Sequence, residues 1–469
     1  SNVWLVAIAT TALLGYGSHA VYHAHPLSLD EYAVVFQSRI FAEGKLTGWF
    51  PPPLHDWLVP KFFQGRFLSL DAESGAVATV YWPGFALLLA PFSAAGAPWL
   101  LNPILGGASV LVMHRLGLVL FGSTGRAGLV VLVTLASPAV TINSLSYYSM
   151  PAHLLANALF VLLLLPASIG RAFAAGIVGS VALVLHNPVP HLVFALPWIA
   201  WLAFQPGRWK LLGALAAGYL PVSLVLGWGW AIFLHNLGSP AGLTELATPG
   251  SAVSTFQHRL GSVLGWTSST GLSAHLLDLA KLWLWAVPAL LVCALLGAQR
   301  LREDRGIWLA LAGSALLTYF VYFVVRFDQG HGWGFRYFHS AWLVLPLFAA
   351  RALAMPGREQ LAGYLAGCAL LSLIVLTGFR ALQVEQFVAR HLSQLPVAAS
   401  GEAKVRFVNP KNGYYAWDLI QTDPFLRDPV QTFVMRSPEA DRAMMAKMYP
   451  QFQLLSEDRR GSVWGIARQ

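Results

Sequence analysis

Long apolar runs alternate with short polar segments along most of the chain. An α-helix needs about 20 apolar residues to cross a bilayer. Runs near that length occur at 3–22, 98–119, 127–142, 150–169, 172–187, 190–204, 211–233, 277–298, 306–325, 337–355 and 360–379. Several of them are short, so locally broken helices are expected. The pattern predicts an all-α polytopic membrane protein with about eleven spans, the first retained rather than cleaved as a signal peptide.

One further apolar stretch, 76–95, is predicted not to cross the membrane. Compact basic clusters fall in alternating loops and are expected in the cytoplasm. These clusters are Arg115 with Arg126, Arg171, Arg208 with Lys210, residues 300–305, and Arg351 with Arg358. For the acidic Asp30 to lie outside, an odd number of spans must separate it from Arg126. We therefore expect 76–95 to form a helix in the outer leaflet or dipping into it, with a break at residues 81–84.

Three long segments are then expected outside. Loop 23–97 follows the first span and should carry juxtamembrane helices, while loop 234–276 is rich in Gly, Ser and Thr and suits a mobile lid. After a transmembrane domain over 1–380, charged residues return in 381–469 and predict a small α/β domain. Its expected elements are strands at Lys404–Val408, Thr432–Met435 and Ser462–Ile466 and a helix at Glu439–Tyr449.

Composition supports a membrane protein and argues against nucleic acid as a partner. Of the 469 residues 56% are hydrophobic and only 11% are charged, and the mean hydropathy is +0.58. The net charge of +9 comes mainly from scattered arginines, so orientation in the membrane and contact with anionic membrane lipids explain it better. Cys293 and Cys368 lie within apolar spans, which favours packing over a disulfide.

Two adjacent carboxylates, Asp30 and Glu31, stand where the chain leaves the first span. Acidic groups at a bilayer edge are costly and often functional. They also suit the start of a helix through Phe41, with Ser28 or Asp30 as its cap. Capping and chemistry are compatible, so both roles remain open for the pair.

Several motifs lie at predicted outer ends in a set order. They are Asp30-Glu31-Tyr32 with residues 36–46, then Tyr81-Trp82-Pro83-Gly84, then Ser137-Pro138 leading to residues 148–153, and Gly332-Trp333-Gly334-Phe335-Arg336-Tyr337. In these motifs the chain, over roughly 25–355, resembles the GT-C superfamily of glycosyltransferases. The similarity is to the bacterial branch that resembles protein mannosyltransferases and lipid A aminoarabinose transferases.

The resemblance implies a reaction, a place and a catalytic residue. Such enzymes take sugar from a polyprenyl-phosphate donor, here at the periplasmic face of the bacterial inner membrane, for a lipid, glycan or protein acceptor. Asp30 matches the catalytic carboxylate of the first outer loop. Metal-dependent oligosaccharyltransferases of the superfamily carry further acidic residues in the second outer loop, whereas residues 143–148 here have none. A divalent metal is therefore not expected, and no other cofactor is implied.

For this chemistry Asp30 is the expected base in a single displacement that inverts the anomeric carbon. Glu31 is expected to cap, to orient a neighbour or to bind acceptor. The departing phosphate needs a cation, for which Arg336 in its glycine-rich turn is the best candidate, unless it only anchors a span by snorkelling. Further candidates for the phosphate site are His331, Tyr337, Arg326 and Lys61.

Aromatic and histidine side chains at outer ends suit a substrate pocket. The candidates are Tyr81, Trp82, Tyr148, His153 and His258. An interfacial aromatic belt would explain the aromatic residues equally simply. His153, His186 and His191 cluster at predicted outer ends, where hydrogen-bonded histidines are commoner than metal ligands.

Two other classes of function compete with a transferase. A transporter or flippase for a lipid or small solute should show paired halves and charges at mid-membrane, but the sequence has no such repeat and its charges gather at one face. A non-catalytic scaffold leaves the grouping of Asp30, Glu31, His331 and Arg336 unexplained.

Overall fold

The computed structural model describes residues 2–237, 269–299, 301, 306–325, 329, 332–358, 360–398, 401–413 and 415–467. Most of the predicted lid at 234–276 therefore lies outside the described residues. The helices up to residue 237 are α1 (Val3–Ala20), α2 (Leu29–Ala42), α3 (His55–Leu58), α4 (Gly84–Ala94), α5 (Leu101–Phe121), α6 (Thr124–Leu135), α7 (Pro138–Asn143), α8 (Met150–Leu164), α9 (Ile169–Val184), α10 (Val189–Ala203), α11 (Arg208–Val222) and α12 (Gly229–Leu237). Those that follow are α13 (Ser269–Leu284), α14 (Leu290–Ala298), α15 (Ile307–Val321), α16 (Val344–Ala352), α17 (Leu361–Leu371), α18 (Thr377–Leu392) and α19 (Pro438–Met448).

Every predicted apolar run contains a helix, and the chain is a multi-pass membrane protein. Within the described ranges, five helices are long and apolar enough to cross a bilayer: Val3–Ala20, Pro98–Phe121, Arg208–Leu237, Ile307–Val324 and Leu361–Leu392. Other runs are broken, as the short predicted spans suggested. The run 277–298 is interrupted between α13 and α14, and 337–355 opens with a 3₁₀ helix, Arg336–Ala341, before α16.

The stretch 76–95 differs in part from the predicted helix. Its first residues, Ala76–Thr79, form strand β3, which pairs with β1 (Gly48–Trp49) on one side and β2 (Leu68–Leu70) on the other. The helical prediction was wrong there because hydropathy does not distinguish a buried strand from a buried helix. Helix α4 has only 11 residues, about 16 Å at 1.5 Å per residue, so it is too short to cross.

The predicted C-terminal strands and helix are confirmed as β4 (Glu402–Val408), β5 (Gln431–Val434), β7 (Gly461–Ile466) and α19. The three strands and a fourth, β6 (Gln453–Asp458), form a sheet of order β5-β4-β7-β6, with β4 and β5 parallel. Strand β6 (Gln453–Asp458) was missed because it ends in Ser-Glu-Asp, residues of low strand preference. The domain boundary predicted at 380 falls inside α18, which carries the last span on to Leu392.

The first outer loop and the C-terminal domain share one hydrophobic core. Phe36 of α2 and Phe50 after β1 belong to the same buried cluster as Phe407 and Phe433 of the sheet. At the edge of this core, the Trp57 indole Nε1 donates to the Asp441 carboxylate over 2.7 Å. The C-terminal domain is thus packed against the segment that carries Asp30.

Candidate active site

Ser28 is the N-cap of helix α2, the helix that carries Asp30 and Glu31. The Ser28 hydroxyl accepts from the Glu31 amide, and the Glu31 carboxylate accepts from the Ser28 amide, which completes a capping box. The predicted helix start is confirmed, with Ser28 rather than Asp30 as the cap. Asp30 lies in the first turn, where the helix dipole favours negative charge.

Asp30 is held by two donors from distant parts of the chain. The Tyr81 hydroxyl donates to its Oδ1 over 2.5 Å, and Arg336 Nη2 donates to its Oδ2 over 2.8 Å. The side chains of Asp30 and Arg336 are only 24% and 14% exposed. Burial raises the pKa of Asp30, but the Arg336 guanidinium, His186 and the Tyr81 hydroxyl outweigh it, so the net pKa is lowered. Asp30 is therefore ionised at neutral pH.

Arg336 is fixed in place by its own turn. Its amide donates to the Gln329 side chain over 3.1 Å, and its guanidinium lies over the rings of Tyr148 and Tyr337 at 5.0 and 5.6 Å. Gly332 has φ +143°, and a Cβ there would come within 2.7 Å of Arg336 Cδ. Glycine at 332 thus lets the arginine side chain lie against the backbone.

The Arg336 guanidinium retains an unused donor. Its Nε is buried and has no hydrogen-bond partner among the described residues. A buried, unpaired donor is costly, and an arginine can offer such a donor together with an Nη group to one oxyanion. The arrangement therefore suits an anion that approaches beside Asp30.

Glu31 is buried and connects three outer segments. Its carboxylate accepts from the amides of Leu27 and Tyr147 at 3.1 and 2.8 Å and from the Tyr22 hydroxyl at 3.3 Å. The Trp333 indole in turn donates to the Tyr22 hydroxyl over 3.3 Å. Because Glu31 is 0% exposed, the structure supports capping and orientation among its predicted roles.

Glu31→Gln is expected to weaken the pH dependence of stability. Burial raises the pKa of Glu31 to about 7, although the hydrogen bonds to its carboxylate act against this shift. A carboxyl with a raised folded-state pKa contributes stability that is complete below its ordinary pKa and is lost as pH rises through about 7. Glutamine does not titrate. The melting temperature of the Glu31→Gln protein should therefore fall less than that of the parent between pH 5 and pH 8.

The matched control for this prediction is Glu402→Gln, since the Glu402 side chain is 65% exposed and pairs with Lys404 on the surface. It should keep the parent's pH dependence in thermal melts. If Glu31→Gln also keeps the full parental slope, Glu31 does not titrate in this range and the assigned burial effect is wrong.

The other predicted site residues divide into three groups. Tyr81, Tyr148 and Tyr337 surround the Asp30–Arg336 pair. Trp82 donates its amide to the His186 carbonyl, His153 is buried on α8, and Lys61 is exposed; none of the three contacts that pair in any described interaction. His258, Arg326 and His331 lie outside the described residues.

His186 was not predicted as a site residue, but it lies beside the pair. Its ring centroid is 4.2 Å from that of Tyr81, whose hydroxyl donates to Asp30. The sequence signal was its place at a predicted outer end. His191 is hydrogen-bonded to Asn157 and Tyr219 at 2.6 and 2.7 Å. In the described part of the chain no three His, Cys, Asp or Glu side chains come together to hold a metal.

Comparison with known proteins identifies the fold. No family model matches the chain, and no curated protein matches it significantly. Among solved structures, ArnT from Cupriavidus metallidurans bound to undecaprenyl phosphate is 14% identical with a TM-score of 0.59, covering 100% of this chain and 99% of that one. The same ArnT in the apo state is 13% identical with a TM-score of 0.54, covering 99% and 98%. The chain has the GT-C fold of ArnT over its whole length.

Proposed function

We propose that the protein is a glycosyltransferase that moves a sugar from a polyprenyl-phosphate donor to an envelope acceptor at the periplasmic face of the inner membrane. The observation that carries this proposal is the mostly buried pair of Asp30 and Arg336, 2.8 Å apart at the start of α2. A carboxylate and a phosphate-binding cation side by side are what such a transfer needs. The fold shared with an ArnT that binds undecaprenyl phosphate supports a donor of this class.

In the proposed reaction Asp30 accepts the proton of an acceptor hydroxyl or amine. The acceptor atom forms a bond to the anomeric carbon from one face, and the bond from that carbon to the phosphate oxygen breaks on the other. Polyprenyl phosphate leaves with the electron pair, and the configuration at the anomeric carbon is inverted. Negative charge that grows on the phosphate is stabilised by Arg336.

The ion pair between Asp30 and Arg336 also explains why donor binding should precede proton transfer to Asp30. Without donor, Arg336 holds the pKa of Asp30 low, and Asp30 is a weak base. A phosphate on Arg336 shares the guanidinium and adds negative charge nearby, which raises the pKa of Asp30. Donor binding would thus make Asp30 a better proton acceptor only when a sugar is in place.

We expect transfer to be independent of divalent metal. Asp30 uses both carboxylate oxygens for Tyr81 and Arg336, and the second outer loop, 143–148, offers no carboxylate. Mg²⁺ usually binds one or two protein carboxylates together with waters and substrate phosphates, and here the Asp30 and Glu31 carboxylates already accept hydrogen bonds from protein donors. Activity measured with and without a chelator should therefore be similar. Loss of activity that added Mn²⁺ or Mg²⁺ restores would contradict this prediction, and Glu31 and His153 would then need testing as ligands.

Mass spectrometry of the cell envelope tests the proposed function. Cells without the gene should lack one sugar on a lipid, glycan or protein, and the mass lost identifies both sugar and acceptor class. The parent gene should restore the sugar, while the gene carrying Asp30→Asn should not, although its protein is folded and present. An envelope unchanged by removal of the gene would contradict a transferase.

A further inference from the structure

The first turn of α2 depends on a residue from the opposite end of the chain. The first amides of a helix have no partner within it. Ser28 satisfies the Glu31 amide, whereas the Leu29 amide donates to Asp418 Oδ1 over 3.1 Å. Asp418 lies 389 residues later, in the 3₁₀ helix Ala416–Leu419 of the C-terminal domain, and is only 7% exposed.

Two neighbouring contacts from the same segment hold the chain on each side of Asp30. The Gln421 side chain donates to the Pro26 carbonyl over 2.7 Å. The Tyr32 hydroxyl donates to the Thr422 carbonyl over 2.8 Å and lies 3.1 Å from the Thr422 amide. The segment 418–422 thus contacts the chain before, at and after the turn that carries Asp30.

This attachment bears directly on the Asp30 carboxylate. Asp30 directly follows Leu29 in the chain. Its two carboxylate oxygens accept hydrogen bonds from Tyr81 and Arg336 at the same time, which requires a defined position of the first turn of α2. A carboxylate that accepts from an amide at a helix start makes a strong bond, because its charge also interacts with the helix dipole. Without this bond the Leu29 amide loses its side-chain acceptor, while the contacts of Ser28, Pro26 and Tyr32 remain. The first turn of α2 then gains freedom, and the Asp30 carboxylate meets its two donors less often.

We propose that Asp418 is a positioning residue for Asp30, and that the C-terminal domain is thereby part of the catalytic apparatus. Its kinetic consequence rests on the proposed transferase function, whereas its structural consequence does not. The domain then acts through the geometry of α2 and not through contact with substrate. A structural measurement and a kinetic measurement test the two consequences separately.

The structural test is amide hydrogen exchange of the full-length protein in detergent. Asp418→Ala should speed exchange of residues 29–32 about tenfold or more, as for one lost charge-assisted bond. Asp418→Asn keeps an acceptor oxygen for the Leu29 amide and should restore most of the protection. The control is Ser437→Ala, which removes the N-cap of α19 in the same domain without touching α2. Unchanged exchange of residues 29–32 in Asp418→Ala would overturn the proposal.

The kinetic test measures kcat and KM for sugar transfer by the same variants. Asp418→Ala should lower kcat about tenfold with little change in the KM of donor or acceptor, Asp418→Asn should recover most of it, and Ser437→Ala should match the parent. Equal losses in Asp418→Ala and Ser437→Ala would show a general effect of domain stability and overturn positioning. If the parent itself transfers no sugar, the proposed function fails, and hydrogen exchange still decides whether Asp418 holds α2.

Discussion

Asp30→Asn is expected to lower sugar transfer by about 10²-fold or more, the usual cost of losing a general base. Asparagine has the same shape as aspartate, its carbonyl can accept from Arg336, and its amide can donate to the Tyr81 hydroxyl. The site therefore keeps its geometry and loses only the group that takes the proton. Turnover with purified protein and polyprenyl-phosphate sugar measures the effect.

Donor binding provides the control for this variant. Asp30→Asn should bind polyprenyl phosphate at least as tightly as the parent, because a negative charge beside the phosphate site has been removed. Tyr81→Phe removes one hydrogen bond to Asp30 and leaves the carboxylate, so its activity should fall less. Near-parental turnover by Asp30→Asn would exclude Asp30 as the base, and His186, whose ring lies beside that of Tyr81, would be the next group to replace.

Much of the fold could be predicted because local physical chemistry determines it. Apolar runs near bilayer length located the helices, and Ser28 followed three residues later by Glu31 is a sequence signature of a helix start. The strands β4, β5 and β7 are short runs that contain Val, Phe, Thr, Trp or Ile and lie next to turn-forming residues, so they were also predictable. In the site, charge asymmetry between loops placed Asp30 and Arg336 on one side of the membrane.

The remaining features depend on contacts between distant parts of the chain. Asp30 and Arg336 are 306 residues apart in the sequence. No local sequence pattern predicts that Arg336 Nη2 lies 2.8 Å from Asp30 Oδ2. The same holds for Asp418 and the Leu29 amide. The apolar residues of strand β3 suit a helix or a strand equally well, and its pairing with β1 and β2 decides for the strand. Tertiary contacts override weak local preference in such segments.

The second large effect concerns Arg336. Arg336→Ala is expected to weaken binding of polyprenyl phosphate about 10- to 100-fold, since a hydrogen bond to a charged group contributes about 1.5–3 kcal/mol. Binding of the free lipid phosphate and of its sugar-linked form should fall together, because both carry the phosphate. Acceptor affinity should change little. Titration of each lipid against the purified protein measures these constants.

Conservative and distant variants show whether the geometry of the guanidinium matters. Arg336→Lys should recover only part of the affinity, because lysine keeps the charge but not the paired donors. Arg66→Ala is the control. This exposed arginine of the first outer loop lies over the Phe62 ring and makes no hydrogen bond or ion pair with Asp30 or Arg336 in the described part of the chain, so its removal should leave lipid binding unchanged. If the folded Arg336→Ala protein binds the lipid phosphate as tightly as the parent, Arg336 serves only to hold Asp30. Lys61 and Arg326 would then be the cations to test for the phosphate.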